Sequence, residues 1–374
     1  RAALLAGMGA LTAAGVVLAI AGLSTVRNST AGRYGETLAP DDPGYQAHVV
    51  PTSTMAVLHR GTDGDLAGAF LPALEPGDDG GTVIGVPPST IVPGSVGDEP
   101  TIAEVYRDEG ADAASQALGA VVTVAVGEQV EVDDTQWARL VDPVGPVEVT
   151  LDEPVGEWPA GPVALEPEAV GRFLAAQTDG ESDLDRLDRQ ELFWNAWLPL
   201  VGRSGADALP GEVDTGIGRF VRGIAQGAGS ATALPVGRED DGDLVRFRPD
   251  AGRVRDLVSR TVPYPTSASP GARISVRLLN GTRDGGLPNR AARVLVAGGA
   301  EITVAGNAAS LDVAETSLVF TGGEHEGFAL WLQAVLGGGR VEEAPAGQDG
   351  SVASDDEIDV TVILGDDAGD LIGR

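Results

Sequence analysis

An uncharged and largely apolar stretch covers residues 2–26, between two arginines. About twenty apolar residues, at a rise of about 1.5 Å each, span the core of a bilayer, whereas the apolar part of a signal peptide is shorter. The stretch therefore predicts one transmembrane helix over 1–26, with the body of the chain outside the cytoplasm. A cleaved signal peptide is the alternative, because Ala19-Ile20-Ala21 resembles a cleavage site.

A proline-rich segment, PYPTSASPG at 263–271, divides the remaining chain. Prolines and small polar residues are typical of a stiff linker at a domain boundary. The segment therefore predicts two globular units, 51–262 and 272–366. The polar residues 27–50 predict a stalk before the first unit, and residues 367–374 an acidic tail after the second.

Strand-like and helix-like patterns alternate in the larger unit, which favours a layered α/β domain. The strand patterns cover 66–72, 82–86, 121–126, 128–132, 147–151 and 244–248, and the helix patterns cover 101–118, 134–141, 166–176, 183–201, 214–226 and 250–260. The smaller unit contains two strand–helix–strand successions. The predicted fold class is therefore α/β: an α/β/α domain and a small C-terminal α/β sandwich, after one N-terminal transmembrane helix.

The sequence contains 56 acidic and 25 basic residues, which gives a formal net charge of −31. This balance argues against a nucleic-acid partner, because too few cations are present to neutralise phosphates. The absence of lysine excludes phosphate-loop ATPases and Schiff-base enzymes, and the absence of cysteine excludes thiol nucleophiles and zinc ribbons. The histidines, at 48, 59 and 325, show no metal-ligand spacing.

The helix pattern at 183–201 carries a charged patch at its N-terminal end. At about 100° per residue, Asp183, Arg186 and Gln190 lie on one face, with Arg189 beside them. The far end of the helix is apolar on nearly all sides. Two guanidinium groups at the rim of an apolar slot suit a ligand with an anionic head and an apolar tail, since guanidinium groups bind phosphate oxygens well.

The same spacing has a simpler explanation. Asp183 and Arg186, and likewise Asp185 and Arg189, stand three or four residues apart and could form an ordinary ladder of ion pairs on a helix. Spacing alone favours this ladder over a ligand site.

Several stretches resemble LytR-CpsA-Psr (LCP) proteins, and they do so in the family's order. Residues 101–155 resemble the middle of the LCP domain, TVIGVPPST at 82–90 stands where the family has SIPRDT, and DLDRLDRQ at 183–190 is similar to the family's D..R..RQQ. The unit with VRLLNGTRDGGL (276–287) and DVTVILGDD (359–367) is similar to the LytR C-terminal domain, which commonly follows LCP domains in actinobacteria.

The resemblance implies a membrane-anchored phosphotransferase, which moves a glycopolymer from a polyprenyl-pyrophosphate carrier to peptidoglycan with Mg²⁺ on the pyrophosphate. It also implies that the lipid lies in an apolar slot of the α/β domain. Carried over to this sequence, the pyrophosphate-binding candidates are Asp183, Arg186, Arg189 and Gln190, and the metal-binding candidate is Asp65, with Asp63 where the family has an arginine.

This sequence departs from the family where cations are expected. Pro88 and Ser89 occupy the arginine and aspartate of PRDT, Thr101 and Ala103 replace a lysine and an asparagine, and Leu174 and Ala176 stand in place of two arginines. Electrostatic stabilisation is most of what phosphoryl transfer needs, and loss of one donor lowers the rate by about 10²–10³.

We therefore expect a membrane-anchored, extracytoplasmic protein of cell-envelope assembly. It would bind a polyprenyl-(pyro)phosphate-linked glycopolymer or an envelope partner with little or no turnover. The alternative is an active glycopolymer–peptidoglycan phosphotransferase that uses Mg²⁺, in which Arg60 or Arg107 supplies the missing charge.

Overall fold

The computed structural model describes residues 38–77, 79–94, 99–204, 215–241, 244–269, 271–344 and 358–373. The predicted membrane span over 1–26 and residues 27–37 of the predicted stalk lie outside these ranges. Within them, none of the helices combines the length and the apolar character that crossing a bilayer requires.

The described part of the chain forms two domains. The strands are β1 (Gln46–His48), β2 (Met55–Arg60), β3 (Leu66–Leu74), β4 (Gly81–Val86), β5 (Glu128–Val132), β6 (Val147–Leu151), β7 (Gly161–Leu165), β8 (Ser230–Ala233), β9 (Val236–Asp241), β10 (Leu244–Pro249), β11 (Ile274–Asn280), β12 (Ala300–Asn307), β13 (Ser317–Phe320), β14 (Arg340–Glu343) and β15 (Val360–Leu364). The α-helices are α1 (Ile102–Glu109), α2 (Ala111–Val122), α3 (Asp134–Val141), α4 (Pro167–Ala175), α5 (Asp183–Arg203), α6 (Gly216–Gln226), α7 (Ala251–Thr261), α8 (Leu287–Ala297), α9 (Glu326–Leu336) and α10 (Ala368–Ile372).

The N-terminal domain has a mixed five-stranded sheet, in the order β5-β2-β3-β4-β8, between two layers of helices. Phe70 belongs to the core that faces α3 to α6, and its neighbour Leu71 belongs to the core that faces α1, α2 and α7. All nine residues of β3 are buried, because helices cover both faces of the sheet. The predicted α/β class and its three layers are present in this domain.

The C-terminal domain is a six-stranded sheet, in the order β1-β12-β11-β15-β13-β14. Helices α8, α9 and α10 pack on this sheet through an apolar core of its own. Strand β1 comes from the other end of the chain and pairs with β12 antiparallel, with Ala47 opposite Ala305. Part of the predicted stalk is therefore an edge strand, and most of the predicted acidic tail is helix α10.

Two local predictions differ from the structure. The predicted strand 121–126 is the end of α2 and the turn after it, where Thr123 has a φ of 65°. Its β-branched residues Val121 and Val122 are buried against the sheet from a helix, so tertiary packing overrides their strand propensity. The predicted helix 101–118 is two helices that meet at Gly110, whose φ of 92° suits glycine.

The segment between the domains is held on both sides. The Thr52 N–H donates to the Tyr264 carbonyl at 2.9 Å, and the Ala125 N–H donates to the Thr266 carbonyl at 2.9 Å. Arg273 of the C-terminal domain donates to the Thr123 carbonyl at 2.9 Å, and α7 packs against α8. Residues 264 and 266 of the predicted linker are thus hydrogen-bonded to the N-terminal domain.

Candidate functional site

Helix α5 begins with a capping box that orders its first turn. The Ser182 hydroxyl donates to the Asp185 carboxylate at 2.7 Å, and the Ser182 N–H donates to the same carboxylate at 2.9 Å. These contacts satisfy groups that a helix N-terminus leaves unpaired. They also occupy the carboxylate of Asp185, which helical spacing predicts as the ion-pair partner of Arg189.

Arg186 and Asp183 form a nearly buried ion pair. Nη2 of Arg186 lies 2.6 Å from Oδ1 of Asp183, with side chains that are 9 % and 14 % exposed. The other carboxylate oxygen of Asp183 accepts the Ser89 N–H at 2.9 Å. Burial lowers the pKa of Arg186, while the charge of Asp183 opposes that change. Asp183 thus joins the arginine to the loop where the LCP family has PRDT.

Arg189 is buried one turn along the helix, with partners on the preceding segment. It forms an ion pair with Glu181 and donates to the carbonyl of Ala176. Its guanidinium carbon also lies 5.9 Å from the centre of the Phe173 ring. The predicted ladder is therefore present for Asp183 and Arg186, whereas Arg189 bonds Glu181 instead of Asp185.

Gln190 is buried and makes two hydrogen bonds inside the domain. Its amide nitrogen donates to the carbonyl of Ala67 at 3.0 Å and to that of Leu174 at 2.7 Å. Both contacts are to backbone, so Gln190 ties β3 to the end of α4. The structure brings the four predicted ligand residues to one end of α5, but it gives Gln190 an internal role.

Asp65, the predicted metal ligand, pairs with an arginine outside that group. Its side chain is 58 % exposed, and Oδ1 lies 3.3 Å from Nε of Arg107. Across the described ranges, no three histidine, aspartate or glutamate side chains come close enough together to hold a metal ion. Among the described residues, Asp65 is thus paired with an arginine and is not grouped with other possible metal ligands.

The two arginines proposed as replacement cations also have carboxylate partners. Nε of Arg60 lies 3.3 Å from Oε1 of Glu131, and its Nη2 lies 3.8 Å from Oδ2 of Asp133. Arg107 pairs with Asp65, as described above. Both arginine side chains are about half exposed.

An aromatic group that the sequence did not single out lies in the core between α3 and α5. We call Trp137, Trp194 and Trp197 the tryptophan cluster; each is at most 1 % exposed. The ring centres lie 5.4–6.1 Å apart. Trp194 and Trp197 lie in the apolar far end of α5, whereas Trp137 comes from α3 and no local pattern connects it to them.

His59 is fully buried against this cluster. Its ring centre lies 5.9 Å from that of Trp137, and Nε2 lies 3.9 Å from Oδ1 of Asp134. Burial lowers the pKa of His59, and the positive charge of Arg186 acts in the same direction. The carboxylate of Asp134 opposes this lowering of the pKa. The sequence had set this histidine aside because it lacks metal-ligand spacing.

A surface pocket of about 350 Å³ opens next to His59. The turn Arg60–Gly64 lines one side, and residues 133–135 at the start of α3 line the other. Asp134 connects the pocket to His59. A larger cavity of about 760 Å³ lies on the opposite face of the sheet, between α2 and the interdomain segment, far from these charged groups.

Comparison with known proteins identifies the smaller domain. Residues 273–367 match the family LytR_C, described as "LytR cell envelope-related transcriptional attenuator". The C-terminal domain is therefore similar to the LytR C-terminal domain, as the sequence predicts. The matched residues contain strands β11 to β15 and the helices between them. The predicted resemblance of this unit to the LytR C-terminal domain is confirmed.

Solved structures align with the larger part of the chain. TagV of B. subtilis has 17 % identity and a TM-score of 0.47, over 57 % of this chain and 98 % of its own. TagT bound to LI-WTA has 14 % identity and a TM-score of 0.45, over 60 % and 92 %. The LytR-Csp2A-Psr enzyme of Actinomyces oris has 15 % identity and a TM-score of 0.40, over 59 % and 96 %. The search of curated proteins found no match.

Proposed function

We propose that this chain is an extracytoplasmic, LCP-like protein of cell-envelope assembly, anchored by residues 1–26. It binds a polyprenyl-phosphate-linked glycopolymer destined for peptidoglycan, and it transfers little or none of it. The ligand class follows from the sequence resemblance at 101–155 and 183–190. TagT, one of the similar proteins, has been solved with LI-WTA bound.

Low turnover is supported by one observation, the internal pairing of the buried arginines. Phosphoryl transfer needs cations that stabilise the charge developing on the transferred group. Here Asp183 neutralises Arg186 and Glu181 neutralises Arg189. The positions where the family carries further cations hold uncharged residues such as Pro88 and Leu174.

Binding is supported by the donors that these pairs leave over. Nε of Arg186 and Nε of Arg189 are buried, and neither has a hydrogen-bond partner among the described residues. An N–H on a guanidinium can donate to a phosphate oxygen while the terminal nitrogens keep their carboxylate. We propose that these two N–H groups donate to the phosphate oxygens of the ligand.

The test measures binding and transfer by the full chain in one detergent buffer. We expect undecaprenyl phosphate to bind, and Arg189→Ala to weaken binding by about 10- to 100-fold, the range for a hydrogen bond to a charged group. Arg203→Ala is the matched control, because Arg203 is exposed at the other end of α5. No transfer of a lipid-linked glycopolymer to peptidoglycan is expected with or without Mg²⁺.

Each other result has a definite meaning. Transfer by the unaltered chain would establish the active phosphotransferase instead. If no polyprenyl phosphate and no sugar phosphate binds, the proposal is rejected altogether.

Proteolysis of intact cells tests the anchor, since external protease should degrade the region 51–366 if that region lies outside the membrane.

A further inference from the structure

Helix α9 is apolar on nearly every side, although it lies at the surface of the C-terminal domain. Residues 327–339, which cover most of this helix and the turn after it, contain no charged side chain, in a chain where 22 % of the residues are charged. Ala329, Leu332 and Leu336 are buried against the sheet. A helix that is apolar all round is normally covered on all sides. One side of α9 has no such cover from the described residues.

Three large side chains make up this uncovered side. Phe328, Leu330 and Trp331, which we call the apolar face of α9, are 38 %, 48 % and 50 % exposed. The indole N–H of Trp331 donates to the carbonyl of Gly298 at 2.7 Å, and the ring of Phe328 stacks on that of His325 with the centres 5.8 Å apart. Both aromatic rings are therefore held in position while they remain open to contact.

The surroundings of the apolar face add a small positive charge. Helices α8 and α9 pack on the same side of the sheet, so their outward sides form one surface. Arg293 is exposed on α8, one turn after Arg290, which is paired with Asp284. Glu326 and Asp370 are the nearest exposed carboxylates of α9 and α10. Exposed Trp and Phe beside an uncharged stretch and an arginine are typical of a protein face that lies in the headgroup region of a bilayer.

The chain enters this domain close to the predicted membrane span. The side-chain amide of Asn307 donates to the carbonyls of Pro40 and Asp42 at 2.8 and 3.0 Å, so the chain is held to the C-terminal sheet from residue 40 onwards. Residues 27–39 connect this point to the predicted span, and at about 3.4 Å each they reach at most about 45 Å. The six-stranded sheet is about 24 Å wide. The connection is therefore long enough for α9 to reach the bilayer and too short for the domain to move far from it.

A glycan fits the apolar face poorly. Sugar hydroxyl groups need hydrogen-bond partners, and the one polar side chain of residues 327–339 is that of Gln333. Its amide nitrogen already donates to the carbonyl of Gly339 at 2.7 Å.

A second copy of the chain also fits poorly. A stable protein interface uses about 20–30 residues from each partner. The apolar face offers three large side chains.

We propose that the apolar face of α9 lies in the interfacial region of the lipid bilayer and fixes the orientation of the protein on the membrane. This inference rests on the proposed function, because the anchor over 1–26 brings the domain to the bilayer. The hydrogen bonds of Thr52 with Tyr264 and of Arg273 with Thr123 join the two domains. Contact by α9 therefore also sets the orientation of the N-terminal domain, which carries the buried arginines.

The first measurement uses the absence of cysteine from the chain, which makes one introduced cysteine a unique labelling site. Leu330→Cys is compared with Leu192→Cys, the matched control, because Leu192 is 47 % exposed on α5. Each full-length variant carries the fluorophore NBD and is reconstituted into phosphatidylcholine vesicles. We expect the iodide quenching constant at residue 330 to be about threefold or more below that at residue 192, because a probe in the interface is shielded from water. Equal quenching at the two residues would overturn the inference.

The second measurement tests the indole of Trp331. Trp331→Glu in the Leu330→Cys background should restore iodide quenching, because it removes an interfacial ring and adds a charge. Val50→Glu in the same background is the control, since Val50 is another exposed apolar residue, 81 % accessible. Quenching that Trp331→Glu leaves unchanged in the folded variant would also overturn the inference.

The remaining outcomes separate this inference from the proposed function. A chain that does not sediment with the vesicles lacks the proposed anchor, and the inference falls with it. A chain that sediments while residue 330 stays open to iodide keeps the anchor and loses only the contact by α9. Equal protection in detergent with a doubled mass would identify a second copy, and protection that requires added peptidoglycan would identify a glycan; each would overturn the inference.

Discussion

The carboxylate of Asp183 accepts the backbone N–H of Ser89 at 2.9 Å and so joins two segments that are far apart in the sequence. The same carboxylate pairs with Arg186 through its other oxygen. One side chain therefore fixes both the arginine and the loop that replaces the family's PRDT.

Asp183→Asn should destabilise the N-terminal domain. It leaves Arg186 as a nearly buried cation without its counter-charge, and breaking a buried pair in this way typically lowers stability by about 3–5 kcal/mol. Denaturant unfolding measures the change. Asp188→Asn on the same helix is the control: burial raises the pKa of Asp188, so its charge is already unfavourable and its removal should not destabilise. Equal losses for both variants would contradict the role given to Asp183.

Pro88→Arg with Ser89→Asp should increase glycopolymer transfer. The guanidinium restores one of the missing cations, and a single such donor is commonly worth about 10²–10³ in rate. The backbone N–H of residue 89, which Asp183 accepts, is kept in this variant. Transfer of a lipid-linked glycopolymer to peptidoglycan is the readout, and Pro93→Arg, in a nearby turn, is the control. A double variant as inactive as the parent would show that this loop is not what limits turnover.

Stability should fall as the pH drops below about 6.5, and His59 should cause part of that fall. Its pKa is below the ordinary 6.5 in the folded protein, chiefly through burial. Below pH 6.5 the unfolded chain therefore binds a proton that the folded chain does not, and one proton changes the free energy of unfolding by at most about 1.4 kcal/mol per pH unit. His59→Gln should flatten the unfolding free energy between pH 6.5 and 5.5.

The control for this pH dependence is His48→Gln, because His48 is exposed on β1. Asp188 and Glu191 have raised pKa values and act with the opposite sign, so the difference between variant and parent is the quantity to compare. Identical pH profiles for His59→Gln and the parent would contradict the prediction.

Ala47→Pro should loosen the edge of the C-terminal sheet. Ala47 lies opposite Ala305, and the hydrogen bonds on either side run from Val49 to Thr303 and from Asn307 to Tyr45. Proline removes an N–H from this ladder, and a lost or unpaired backbone bond destabilises by about 1–3 kcal/mol. Hydrogen exchange at Asn307 should accelerate, whereas Ala47→Val should leave it unchanged.

Local patterns in the sequence predicted most of the individual helices and strands. Helix α5 was placed at 183–201 and covers 183–203, because Ser182 and Asp185 form a capping box ahead of an amphipathic run. Strand β2 is absent from the predicted strands. Apolar and polar residues do not alternate in MAVLHR, because both faces of a strand inside the sheet are buried.

The candidate site was predictable only where its residues are neighbours on one helix. The spacing of three residues between Asp183 and Arg186 predicts the ion pair between them. The partner of Arg189, Glu181, precedes the helix, so no helical spacing points to it. The contact between His59 and Trp137 joins β2 to α3, and only the fold brings those two elements together.

The edge strand β1 determines how the chain carries a mechanical load. Residues 46–48 are held by the C-terminal sheet before the chain reaches β2 at Met55. Tension applied to the N-terminal segment is therefore taken up first by the hydrogen bonds between β1 and β12, and the sheet that carries the pocket is shielded from it. Under pulling from this end, we expect β1 to detach from β12 before the arrangement around Arg186 is disturbed.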